Sequence, residues 1–259
     1  MRRGRVKILK IAVVSPHRDD AAFSLALAVG AWIEAGHKVI VINCFSRSQF
    51  APFSEMEFVH SNDRMSFVTA LRGREDEVWR RQYGSALTLV DLNMKDAPLR
   101  LHCPANEVFG LAVNLLDKAL VKIQKAVERT GAGAVVLPLG LGGHIDHTSA
   151  RESLTRMATT STPCAFYEDL PVTGDAGAIE ESVLGLEREL KVQLAPVFAS
   201  EAGDVQTAVA RKRRAVLCYD SQIDDAEVER IARFSEQYDG RERLWGNAAW
   251  RESELVVNL

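Results

Sequence analysis

What this sequence lacks narrows its function before any motif is considered. Its 259 residues include four cysteines, Cys44, Cys103, Cys164 and Cys218, widely spaced and without a Cys-x-x-Cys pair. That argues against a disulfide framework or a structural zinc site, and Cys44 and Cys164, inside strand-like runs, read as buried thiols. Charge of either sign is not in excess: 32 basic against 35 acidic side chains give a net charge of -3. Neither a nucleic acid nor an acidic membrane surface is therefore expected as a partner. No apolar run approaches the length of a membrane span. Met1-Arg2-Arg3-Gly4-Arg5 resembles the start of a signal peptide, but the apolar run after it is short, broken by Lys10 and without a small-residue cleavage motif. The expected compartment is the cytoplasm. No Gly-x-Ser-x-Gly elbow supports a serine hydrolase, and Gly140-Leu141-Gly142-Gly143 lacks the Gly-x-Gly-x-x-Gly spacing of a dinucleotide site.

What is present belongs to an ordinary globular protein, 47% hydrophobic and 26% charged, able to bury a full core. The length allows one large or two small domains, and no repeat or flexible linker divides the chain. Strand-like runs at 8–13, 38–44, 86–91, 134–139 and 164–167 alternate with helical patterns. That alternation predicts an α/β fold, a Rossmann-like, mostly parallel sheet flanked by helices. Residues 46–70 read as a long loop with a short helical part. Residues 72–83 read as a charged helix, most of its charges a solvated face, with Val78, Trp79 and Tyr83 as its apolar stripe. Asn106 is expected to cap a long helix to about Arg129, with Val108, Leu111, Leu115, Leu116 and Ile123 facing the sheet. Beyond Pro171 the alternation fades. Residues 172–204, with Gly174, Asp175 and Gly177, suggest a smaller C-terminal subdomain or flap, and the tail with Trp245, Trp250 and Leu255-Val256-Val257 has no clear assignment.

Two segments carry chemistry. Val14-Ser15-Pro16-His17-Arg18-Asp19-Asp20 leaves the first strand and enters a helix, and Gly140-Leu141-Gly142-Gly143-His144-Ile145-Asp146-His147 does the same after the fourth. Ligands of open α/β sheets bind outside the carboxyl ends of the strands, where both segments fall. Asp19 or Asp20 could be a plain helix N-cap and His17 a plain loop histidine. A cap needs only one carboxylate, however, which leaves one acid and one imidazole without a structural task.

The His-x-Asp-Asp and His-x-Asp-His segments resemble the signature motifs of the PIG-L/LmbE-like family, zinc-dependent N-deacetylases of amino-sugar conjugates such as N-acetylglucosaminides. Arg72-Gly73-Arg74-Glu75-Asp76, Val90-Asp91-Leu92, Asp96-Ala97-Pro98-Leu99-Arg100, Phe166-Tyr167-Glu168-Asp169-Leu170-Pro171 and Tyr219-Asp220-Ser221-Gln222 are similar to later landmarks of that family, so the likeness spans roughly residues 8 to 225. It implies one deacetylase domain over 1–259, with 172–259 its less regular part. It also implies a small-molecule amino-sugar substrate, no nucleic-acid or membrane partner, and leaves a homo-oligomer open. Arg72, with Arg74 second, is implied to reach the substrate, and Asp96 is grouped with it. Arg18 stands where the family most often has Pro, and so puts a cation beside the site.

Amide hydrolysis needs a nucleophile, a stabilised oxyanion and a proton for the departing amine. A metal with three protein ligands and an open position supplies the first two. His17, Asp20 and His147 are the expected ligands of one Zn2+ per chain, a donor set that Fe2+ or Co2+ would also accept. Asp19, whose side chain diverges from that of Asp20, is the expected general base, as the resemblance also implies. His144, its tautomer held by Asp146, which also favours its protonated form, would stabilise the oxyanion or protonate the amine. Which of Asp19 and His144 delivers the last proton stays open. The alternatives are an amidase acting on a larger acyl or thiol conjugate of an amino sugar, and a non-catalytic metal- or sugar-binding relative.

Overall fold

Short apolar runs in this chain become strands buried on both faces, as a parallel sheet requires. β1 (Lys10–Ser15), α1 (Asp20–Glu34) and β2 (Lys38–Asn43) make a parallel β-α-β unit. They are followed by α2 (Arg64–Arg81), β3 (Leu87–Asp91), α3 (Ala97–Leu101), α4 (Lys118–Thr130), β4 (Ala134–Pro138), α5 (Ile145–Glu152) and β5 (Cys164–Tyr167). The C-terminal part supplies α6 (Ala176–Leu190), β6 (Ala195–Val197), α7 (Val205–Val216), α8 (Asp225–Arg233), β7 (Leu244–Gly246) and α9 (Ala248–Arg251). The structure is a computed structural model that describes residues 8–171 and 176–256. The Met1–Arg5 segment, Gly174, Asp175 and Val257 lie outside the described residues.

Among the described residues one sheet runs in the order β3-β2-β1-β4-β5-β7-β6. β1 to β5 are parallel, β7 pairs antiparallel with β5, and β6 pairs antiparallel with β7 at the edge. The chain is thus an α/β protein of the expected kind. Strand order reverses between β1 and β4, and there the two chemistry-bearing segments emerge side by side. Side chains of β1 alternate between two buried layers: Ile11 and Val13 join Trp32 of α1 and Val216 of α7, whereas Ala12 and Val14 join Ile123 of α4 and Val183 of α6. Each fully buried aliphatic side chain of this kind stabilises by roughly 1.5–3 kcal/mol. The tail is tied into the first layer, with Trp32 edge-on to Trp250 at 5.9 Å and its Nε1 donating to the Leu255 carbonyl. No described helix is long and apolar enough to cross a membrane.

Two helices differ from expectation. α4 begins at Asp117, whose carboxylate caps Ala119 N–H at 2.8 Å, eleven residues later than Asn106. Leu115 and Leu116, expected on the sheet, are 72% and 89% exposed. Val108 to Gly110 instead lie beside Gly143 to Ile145, an attachment that fixes this stretch as a loop. α2 starts at Arg64, and its charges are not all solvated: Arg72, Glu75 and Asp76 are buried with Trp79, while Val78 is exposed.

Candidate active site

At the end of β1, Ser15 Oγ donates to the His17 carbonyl at 2.6 Å and accepts Ala21 N–H at 3.1 Å, which ties the turn to the start of α1. Asp19 occupies the N-cap position, yet its side chain makes no capping bond. It accepts Arg72 Nη2 at 2.7 Å instead. Asp20 Oδ2 accepts the His17 N–H at 2.6 Å. The bland cap reading therefore fails for Asp19.

At the end of β4 the backbone turns through Gly140 and Gly143, at φ 75° and 71°, where a side chain would be strained. A Cβ on Gly143 would also stand 3.3 Å from Gly110 N. Gly110 N–H donates to Gly143 O and Ile145 N–H to Val108 O, both at 2.9 Å. These bonds bring the Phe109 ring edge-on to His144, 5.3 Å between centroids. His144 caps α5, its Nδ1 accepting Asp146 N–H at 3.1 Å. Residue 146 therefore meets His144 through its backbone N–H. Its carboxylate lies elsewhere: Oδ2 is 3.2 Å from His17 Nε2 and accepts Ala97 N–H, and Oδ1 accepts Arg100 Nη2. Nor is the protonated form favoured, because burial and the neighbouring His17 and His147 push His144 down to about 3.

His147 completes the cluster. Its Nδ1 is 2.7 Å from Asp169 Oδ1, and Asp169 Oδ2 accepts the Gly140 and Leu141 N–H groups. Asp20 Oδ2 lies 3.4 Å from His17 Nδ1 and 3.4 Å from His147 Nε2. Donors about 2.0–2.1 Å from a tetrahedral ion are spaced by roughly 3.3–3.4 Å, so Asp20 stands from each of the two histidines at the separation a shared metal needs. Both histidines have a carboxylate on the ring nitrogen facing away, the arrangement that orients metal-binding imidazoles. The charge fits as well. Against the cost of burial, Asp146 and Asp20 raise His17 to about 10, and Asp20 and Asp169 raise His147. A divalent cation would take the place of those protons. The donor atoms of His17, His144 and His147 also lie within 4.8 Å of one another, which makes His144 a neighbour of the same centre.

α2 supports this centre with the charges expected to be solvated. Arg72 holds Asp19, whereas Arg74 is exposed. Glu75 Oε1 accepts Ser221 N–H, and Asp76 accepts Tyr219 Oη–H at 2.8 Å. Arg18 is buried between Asp76 (2.6 Å) and Asp91 (2.7 Å) and does not line the cavity. The expected free cation beside the site is therefore neutralised behind it.

The centre forms the floor of a cavity of about 270 Å³ that also exposes Asp19, Arg72 and Asp96. Asp96 is the N-cap of α3, with Oδ1 accepting Leu99 N–H at 3.4 Å. From the C-terminal part come Gln222 and Ile223. Sequence reasoning assigned no role to Asp169 or Arg100. Asp169 follows β5, the strand beside β4, so its position at the end of an adjacent strand was the available signal. Arg100, the fourth residue of α3, stands in the Asp96–Arg100 landmark, but nothing in that segment pointed to Asp146 as its partner.

No family model matches the chain. It is 28% identical over 249 residues to 2'-N-acetylparomamine deacetylase of Streptomyces fradiae, covering 95% of this chain and 82% of that protein. The zinc-inhibited form of teicoplanin deacetylase Orf2 superposes with a TM-score of 0.63 at 18% identity, covering 92% of this chain and 98% of that one. The 4-carboxy-2-hydroxymuconate hydratase of Pseudomonas putida superposes with a TM-score of 0.58 at 14% identity, covering 97% and 100%. These structural likenesses establish a shared fold, which hosts more than one chemistry. The sequence likeness to the Streptomyces deacetylase runs over nearly the whole chain, so it is not confined to the two histidine–aspartate segments.

Proposed function

We propose that the chain is a metal-dependent hydrolase that removes an N-acetyl group from an amino-sugar conjugate. The observation that carries this reading is the Asp20 carboxylate oxygen at 3.4 Å from a ring nitrogen of both His17 and His147, with Asp19 next to it in the same cavity. The name of the Streptomyces relative, which specifies an N-acetylated amino sugar, supports the substrate class.

His17, Asp20 and His147 would hold the ion, with Zn2+ the first choice for two imidazoles and a carboxylate. When bound, it supplies Lewis acidity for the amide carbonyl and makes water acidic enough to attack near neutral pH. Asp19, fixed by Arg72, takes the proton of the attacking water. Because Nδ1 of His144 accepts a backbone N–H, neutral His144 carries its proton on Nε2 and donates it as a hydrogen bond to the oxyanion. Arg72 acts on the substrate through Asp19 as well as at the cavity wall. Unpaired Cys44, Cys103, Cys164 and Cys218 suit a reducing compartment such as the cytoplasm.

The test is a metal-replete screen against N-acetylglucosaminides, detecting acetate and free amine. Turnover should disappear with a chelator and return with Zn2+, Co2+ or Fe2+. Metal binding without turnover of any N-acetylated sugar, or full activity in demonstrably metal-free protein, contradicts the assignment.

A further inference from the structure

Two phenylalanines stand at the mouth of the cavity with about half of their surface in water. Phe50, on the loop after β2, is 54% exposed, and Phe109, on the loop after α3, is 49% exposed. Water-facing rings are common on protein surfaces, but these two are held in place. Phe50 N–H donates to Ser48 Oγ at 2.9 Å, and Phe53 N–H ties the same loop to Ser221 O. Phe109 is fixed by the bonds of its neighbours to Gly143 and Ile145.

Between mouth and floor the wall is mostly apolar, with Phe23, Leu141, Leu170 and Ile223. Most of its polar groups are already engaged: Ser48 with Phe50 N–H, Gln222 with Ser221, Asp96 with its helix, and Arg72 through Nη2 with Asp19, its buried Nε being left without a partner. A second polar sugar would bury hydroxyls here with few partners, which is unfavourable. An alkyl or aryl group would lose water on contact with the rings at no such cost.

We propose that the substrate carries an apolar aglycone that lies along Phe50 and Phe109 while its acetamido group reaches the floor. The inference rests on the deacetylase reading above and narrows its substrate class. Continuity fixes the occupant: mouth and floor belong to one cavity, so a molecule with its amide at the histidines must leave past these rings.

The experiment compares kcat/KM of the metal-loaded enzyme for methyl, hexyl, phenyl and 2-aminoethyl β-N-acetylglucosaminides. Hexyl and phenyl glycosides should exceed the methyl glycoside at least about tenfold, the scale of burying roughly 60 Å² of apolar surface. Phe50→Ala should collapse the hexyl-to-methyl ratio toward one. Phe50→Leu should retain part of it, and serves also if the alanine variant folds poorly. Val78→Ala, a 52% exposed apolar site on α2 outside the cavity, should leave the ratio unchanged. Equal rates for methyl and hexyl glycosides, or a preference for the aminoethyl glycoside, would overturn the inference while leaving the deacetylase reading intact. Turnover of none of the four would remove that reading itself. Binding to phosphatidylcholine vesicles that Phe50→Ala abolishes, without any aglycone preference, would assign the rings to a lipid surface and equally overturn it.

Discussion

The floor and the mouth of this cavity are built by opposite rules. At the floor each side chain is fixed by another that is fixed in turn: His147 by Asp169, Asp169 by two backbone N–H groups, His17 by Asp146, and Asp146 by Arg100 and Ala97. At the mouth the backbone is anchored, but the rings of Phe50 and Phe109 are largely left to water. The difference separates two requirements. Chemistry needs donors held to within tenths of an ångström, whereas choosing a substrate needs only a surface of the right character.

The contrast can be broken at three depths. Behind the floor, Arg18→Met leaves Asp76 and Asp91 without their cation. Removing one partner of a buried pair costs about 3–5 kcal/mol, so denaturant unfolding should show a loss of that size. A loss below about 1 kcal/mol would mean that this network does not support the site. At the floor, Asp169→Asn should weaken metal affinity about 10- to 100-fold, because His147 keeps its position but loses its charged partner. Competition with a chelator of known affinity measures this, and an unchanged affinity would deny Asp169 its orienting role. At the mouth, Phe50→Ala should change aglycone selectivity about tenfold and metal content not at all. Lost metal in that variant would mean that mouth and floor are not independent.

How much of this was legible in the sequence follows the same division. His17, Asp19, Asp20, His144 and His147 could be named because they sit in two contiguous segments at strand ends, and strand ends are visible in hydrophobic pattern. Their partners could not be assigned. Asp169 lies in a third segment, and only sheet order brings it to His147. The buried face of α2 was misread because charged residues usually mark solvent; here Arg72, Glu75 and Asp76 each meet a partner from a distant part of the chain. The 102–117 stretch misled in the other direction. Leu111, Leu115 and Leu116 suggested a buried helix face, yet what orders the stretch at Val108–Gly110 is backbone pairing to the loop after β4. Such pairing leaves no trace in composition. The strand edges of the C-terminal part, β6 and β7, were lost because three-residue strands are too short to show a period.

The division of labour between two adjacent carboxylates is the most direct test of the floor. Metal content per chain and kcat should be measured for Asp19→Asn and Asp20→Ala alongside the parent protein. Asp19→Asn should keep the metal and lose about 10²- to 10⁴-fold in kcat, the worth of a positioned base. Asp20→Ala should lose the metal, since it removes the oxygen that stands 3.4 Å from both His17 and His147. Loss of metal from Asp19→Asn with retention in Asp20→Ala would reverse the two roles, and retention of metal and activity in both would show that the reaction takes place elsewhere.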